Sequence, residues 1–292
     1  MLLLAVAAVA LLFIAWVVGE PWLCERRRAR LRGARFPAEW RAILRRRMPL
    51  YRRLPHDLQR QLKERIQVFV AETNFIGCAG QEITDDIRVT IAAQASLLRL
   101  NRRDGHFPNL RQVLVYPGAF VVDCIRTDGA GVLREQRQVL SGESWTQGQV
   151  VLSWDDVVAG AAVPDDGRNV VIHEFAHQLD QEKGHANGAP GLTGLPSRSA
   201  RRRSPSGRPV GLTRRDAYRS WSAAMRAGYA ALQADALRQR PSLLSHYGAT
   251  DPAEFFAVAS EVFFEQAQAM ADTHPDLYRE LAAFYRVDPA SW

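Results

Sequence analysis

Apolar residues recur at helical spacing over Leu58–Glu72, where Leu62, Ile66, Phe69 and Val70 gather on one side, and again over Asp86–Arg99. Gln112–Tyr116, Val132–Leu140 and Gln149–Ser153 read as short strands, and Trp154–Ala162 as a short helix. Val170, Val171, Phe175 and Leu179 then predict a helix, with Asp165-Asp166-Gly167 offering capping and turn residues before it and Gly184 ending it. Further helices are predicted over Tyr218–Gln239, Asp251–Glu265 and Pro275–Tyr285. The sum is an α+β fold in which helices dominate. The 237 residues from His56 onward fit a single core with no convincing interior boundary.

One stretch departs from amphipathic patterning. Leu2–Val18 is a run of 17 apolar residues; with its neighbours it gives about 28 Å of helix, enough for a bilayer core. Between Glu25 and Arg47 follow ten arginines against two glutamates, a local balance of +8. This predicts a membrane anchor over residues 1–20, an Arg-rich segment over 21–55 that meets anionic lipid, and a single-pass inner-membrane protein whose domain over 56–292 faces the cytoplasm. Ser197–Arg215 adds seven arginines and no acid. Without both basic stretches the total of +7 becomes about −8, so the basic balance does not argue for direct nucleic-acid binding. Gly184–Arg215, rich in Gly, Pro, Ser and Arg, is expected to be a disordered insert. Cys24, Cys78 and Cys124 are odd in number and unpaired in spacing, which suits a reducing compartment.

The chemistry concentrates in His173-Glu174-Phe175-Ala176-His177. On a helix, residues four apart lie on one face, so both imidazoles can reach one metal ion. Glu174 emerges about 100° further round, where it can touch a metal-activated water without ligating the metal. A hydrolytic zinc site takes three protein ligands and leaves a position for water. A third histidine in the metzincin pattern would stand at 183, but that residue is Lys183 and the required glycine position holds Asp180. The third ligand is therefore expected on a later helix, where Glu254, Glu261 and Glu265 share a face. Spacing leaves two choices open. Asp251, Pro252 and Glu254 also form a capping-box arrangement, and Glu261 is either the ligand or a carboxylate that orients a ligating histidine.

Three separated motifs occur in order: the histidine helix through Asp180, the upstream Gly142-Glu143-Ser144-Trp145 with Val150–Trp154, and the downstream Tyr247 through Asp251-Pro252-Ala253-Glu254-Phe255-Phe256-Ala257-Val258. Together they resemble the Mlc titration factor A family of zinc-dependent peptidases, from about residue 55 to the C-terminus. The resemblance implies zinc held by His173, His177 and Glu254, a gluzincin-like zincin domain similar to the catalytic domain of anthrax lethal factor, and a transcriptional repressor as partner.

The expected mechanism places Glu174 as general base for a zinc-activated water attacking a peptide carbonyl. Tyr247, seven residues before Glu254, is either a phenolic donor to the oxyanion or a core aromatic. Asp180 suits a supporting role beside His177 or that of a plain helix-end acid. If Gln149–Ser153 is an edge strand, it can pair with an extended peptide substrate. A regulatory module that sequesters a repressor with little turnover is the alternative function. Glu174 speaks against that alternative, since a structural metal site needs no general base.

Overall fold

The computed structural model describes residues 19–102, 105–127, 133–140, 142–145, 148–192 and 214–292. Helices dominate: α1 (19–33), α2 (Ala38–Arg47), α3 (Leu50–Arg53), α4 (His56–Glu72), α5 (Asp85–Leu97), α6 (Trp154–Ala162), α7 (Val170–Asp180), α8 (Arg214–Leu237), α9 (Pro252–Glu265), α10 (Ala267–Thr273) and α11 (Pro275–Tyr285). The strands are β1 (Asn74–Gly77), β2 (Gln112–Tyr116), β3 (Phe120–Thr127), β4 (Leu133–Leu140), β5 (Gly142–Trp145) and β6 (Gln149–Ser153).

The main sheet runs β1-β2-β6-β5. The pairings β1–β2 and β2–β6 are parallel, with Val113 beside Val150 and Val115 beside Leu152, while β5 runs antiparallel to β6. Val150, Val151, Leu152 and Ser153 are all buried, the pattern of a parallel strand covered on both faces. Gln149–Ser153 is therefore an interior strand and offers no free edge. That edge belongs to β5, whose four residues with a leading glycine are too short and too polar to announce a strand. β3 and β4 form a separate antiparallel hairpin leading into β5.

α5 is the central helix: Thr84 caps it through Oγ1, which accepts from Ile87 N–H, and Val89 through Leu97 are all buried. An aromatic group of Phe69, Phe107 and Phe175 joins α4 to α7, with ring centres 4.9 Å apart for Phe107–Phe175 and 5.6 Å for Phe69–Phe175. The same core takes in Phe36, Ile43, Leu44, Met48, Leu50, Tyr51 and Leu54, so the arginines of α2 ride on a helix whose other side is buried.

The expected single-pass inner-membrane placement, with its cytoplasm-facing orientation, is overturned. Among the described residues no helix is long and apolar enough to cross a membrane. Leu2–Val18, on which the expectation fell, lies outside the described residues, as do residues 193–213 of the expected insert. The described α1 is strongly charged, and it is tied to α4 by Arg28, whose Nε donates to Glu72 at 2.8 Å.

Candidate metal centre

α7 forms because apolar residues recur along its inner face and Asn169 caps its start: Asn169 Oδ1 accepts from Ile172 N–H at 3.0 Å. The cap is thus not supplied by Asp165-Asp166-Gly167. An asparagine immediately before the first apolar residue was the available signal. One turn apart, the His173 and His177 rings sit with centres 5.0 Å apart, nearly perpendicular at 77°.

α9 crosses the open face of this pair. Asp251 caps α9, its Oδ1 accepting from Ala253 N–H at 2.8 Å and Glu254 N–H at 3.0 Å, and Pro252 occupies the first turn. With Asp251 filling the cap, the Glu254 carboxylate turns to the histidines: its Oε2 lies 3.0 Å from His173 Nε2 and 3.5 Å from His177 Nε2. Ligand-type atoms of His173, His177 and Glu254 all lie within 4.8 Å of one another. Glu261 does not join them. Its Oε1 sits 2.7 Å from His173 Nδ1 and its Oε2 accepts from Asn169 N–H at 2.6 Å. Glu265, the third acid on this face, accepts from Asn169 Nδ2 at 2.9 Å.

The donor set fits zinc: two imidazole nitrogens and one carboxylate oxygen converge, and Glu261 on Nδ1 turns Nε2 of His173 toward the centre. Burial alone would raise the Glu254 pKa, but hydrogen bonds and charge from His173 and His177 together outweigh it and hold the carboxyl well below its usual range. His173 shows the converse. Burial disfavours its cation, yet hydrogen bonds to Glu254 and Glu261 push its pKa well above the ordinary value.

Glu174 is buried beside this group, and burial, partly opposed by the two histidines, raises its pKa to about 7. Gly142, the first residue of β5, lies directly against it: a Cβ at 142 would come 2.7 Å from both Cγ and Oε1 of Glu174 and 2.8 Å from Val170 Cγ2. No feature of the isolated sequence marks that contact, which joins segments more than thirty residues apart in the chain.

Tyr247 stands on a single 3-10 turn, His246–Ala249, capped by Ser245. It is not a core aromatic. The residue is 47% exposed, and its ring centre lies 6.0 Å from that of His173. Partial burial, followed by the charges of Glu254 and Glu174, raises its phenol pKa, so the hydroxyl keeps its proton. Asp180 is buried rather than an exposed helix-end acid. Its Oδ2 accepts from the N–H groups of Asn187 and Gly188 at 2.7 and 2.6 Å. Gly188, at φ +74°, lies so close to Pro252 that a Cβ would fall 2.3 Å from that residue's carbonyl oxygen. Asp180 thereby ties the loop after α7 to the start of the helix that carries Glu254.

Comparison with known proteins agrees with this geometry. Residues 23–286 match the family model described as glucose-regulated metallo-peptidase M90. An uncharacterized protein of Synechocystis sp., slr2042, is 36% identical over 285 residues, covering 97% of this chain and 96% of its own. Mlc titration factor A of Pectobacterium atrosepticum is 32% identical over 253 residues, with 86% of each chain covered. The protein of the same name from Klebsiella pneumoniae subsp. pneumoniae is 31% identical over 244 residues, covering 83% of this chain and 84% of its own. With the match running through nearly all of the described fold, the chain belongs to the glucose-regulated metallo-peptidase M90 family.

Proposed function

We propose that the chain is a zinc-dependent peptidase, with His173, His177 and Glu254 as metal ligands and Glu174 as general base. The observation that carries this reading is the convergence of those three ligand-type side chains beside a buried carboxylate whose pKa stands at about 7. When bound, zinc supplies a Lewis acid that lowers the pKa of a water molecule and polarises a carbonyl.

The protein's own groups account for the remaining steps. The Glu174 carboxylate takes a proton from the attacking water as the water oxygen bonds to the scissile carbonyl carbon. It then gives that proton to the amine nitrogen as the C–N bond breaks. Tyr247 donates its phenolic O–H to the carbonyl oxygen as negative charge builds there, which requires the protonated form that its raised pKa provides. Glu261 holds the ring of His173 from behind.

Substrate enters along β5. This strand ends the sheet, and among the described residues it pairs only with β6, so its outer N–H and C=O groups can take an extended peptide as an added strand. Gly142 brings that edge against Glu174. A substrate strand on β5 is thus led past the base.

The test is zinc content and cleavage of a quenched fluorescent peptide library by the full chain. Wild type is expected to hold about one zinc and to cleave, because three ligands plus an open position make a hydrolytic centre. Glu254→Ala is expected to lose both. Cleavage that persists in zinc-free Glu254→Ala protein would refute the reading.

A further inference from the structure

Asn169 is connected to more of the centre than a helix cap requires. Its side-chain oxygen caps α7, its backbone N–H donates to Glu261, and its amide nitrogen donates to Glu265, all within the buried seam between α7 and α9. Glu261 and Glu265 stand one turn apart on α9, and Glu261 alone touches a histidine. We propose that the Asn169 side chain and Glu265 form a clamp that fixes the backbone N–H of Asn169 on Glu261, positions Glu261 on His173, and so sets the affinity of the centre for zinc. This rests on reading His173 as a zinc ligand.

The geometry specifies an amide at position 169. Serine or aspartate also caps a helix well. Serine is too short to reach Glu265, and aspartate would bring a further carboxylate in among the buried Glu261 and Glu265. Asparagine does both, with its carbonyl oxygen toward Ile172 N–H and its NH2 toward Glu265 Oε1. Losing the second bond leaves the Asn169 NH2 with only a long contact to Gly160 O, at 3.5 Å, and loosens the residue about its cap. Its backbone N–H, 2.6 Å from Glu261 Oε2, would turn with it. Glu261 would then keep one partner instead of two, and the Nδ1 side of His173 would lose its fixed acceptor. Burial raises the Glu265 pKa to about 8, so near neutral pH the clamp joins an amide to an uncharged acid. A glutamine at 265 keeps that arrangement, since its carbonyl oxygen can accept from Asn169 Nδ2.

The experiment measures zinc affinity of the full chain by competition with a chromophoric chelator for wild type, N169S, E265A and E265Q, with melting of each zinc-free protein as a check on folding. N169S and E265A are expected to bind zinc ~10-fold more weakly, the usual scale for losing support behind a ligating histidine, and E265Q to restore affinity to within about threefold of wild type. In 15N-edited spectra of the zinc-free chains, the His173 Nδ1–H signal is expected to be sharp in wild type and E265Q and broadened in N169S, a change that loss of a helix cap alone would not produce. If E265A fails to fold, N169S and E265Q carry the same decision. Wild-type affinity and an unchanged His173 signal in N169S would overturn the clamp while leaving the zinc site standing. A wild-type chain that binds no zinc would overturn both.

Discussion

Gly142→Ala is a small change with an unusually specific expected effect. The added methyl would meet Glu174 Cγ and Oε1 at 2.7 Å and Val170 Cγ2 at 2.8 Å. Carbon atoms in contact prefer about 3.5–4.0 Å, so either the carboxylate or the strand must move by roughly 1 Å. The cheaper response is movement of the Glu174 and Val170 side chains, whereas β5 is held by its ladder to β6. Overpacking of this kind costs about 1–3 kcal/mol. Catalysis has no such relief, because a misplacement of roughly 1 Å in a reacting group costs on the order of 100-fold. The expected result for G142A is kcat/KM reduced by about two orders of magnitude, with zinc content unchanged and melting only modestly lowered. Steady-state kinetics on the best library peptide, metal analysis and thermal melting decide it. A G142A protein with wild-type kcat/KM would refute the argument that the base owes its position to the missing side chain at 142.

Tyr247→Phe is expected to lower kcat by about 100-fold with KM little changed, the usual scale for one oxyanion donor; an unchanged kcat would remove Tyr247 from the reaction. The acid limb of kcat/KM is expected to fall between the ordinary carboxylate value of 4.5 and about 7, because Glu174 must be ionised to act and stands at about 7 before a cation draws it down; E174Q and wild type compared across that range will show whether the limb belongs to Glu174. In the zinc-free chain Glu265, raised from 4.5 to about 8, contributes stability that is fully present below 4.5 and lost as pH rises through 8. E265Q should flatten the fall in melting temperature over that window, and an equal fall in both proteins would contradict the assignment. Asp180→Ala removes the acceptor of the Asn187 and Gly188 N–H groups and should cost about 1 kcal/mol in chemical denaturation; a loss of less than half a kcal/mol, of order the effect of a neutral surface change, would show that the loop is held elsewhere.

How much of this was legible beforehand follows from the range of the interactions. The period of α7, the spacing of its histidines and the apolar run of β6 are local, and the bounds Gln112–Tyr116, Gln149–Ser153, Trp154–Ala162 and Pro275–Tyr285 agree with the structure residue for residue. Glu254 and Glu261 could be placed on one helix face from their spacing, but their different partners depend on how α9 crosses α7, which periodicity does not carry. Asp251 was visible as a cap, and its taking of that position leaves the Glu254 carboxylate for the histidines. β1, β3 and β5 were missed as strands. β1 and β5 are four residues long; β1 pairs with a strand more than thirty residues further along the chain, and β5, although it turns straight into β6, lacks the apolar alternation that marks a strand. The edge position falls to β5 because strand order in a sheet is a tertiary property. The inner-membrane expectation weighed apolar length and flanking charge, while the described α1 meets α4 through Arg28 and Glu72.

The central claim is that Glu174 acts as the base of a zinc centre it does not help to hold. Zinc content and peptide turnover measured side by side for wild type and E174Q test it most directly. The account predicts equal zinc, about one per chain, and turnover in E174Q lower by about 100-fold to 10,000-fold. Wild-type turnover in zinc-loaded E174Q would contradict it.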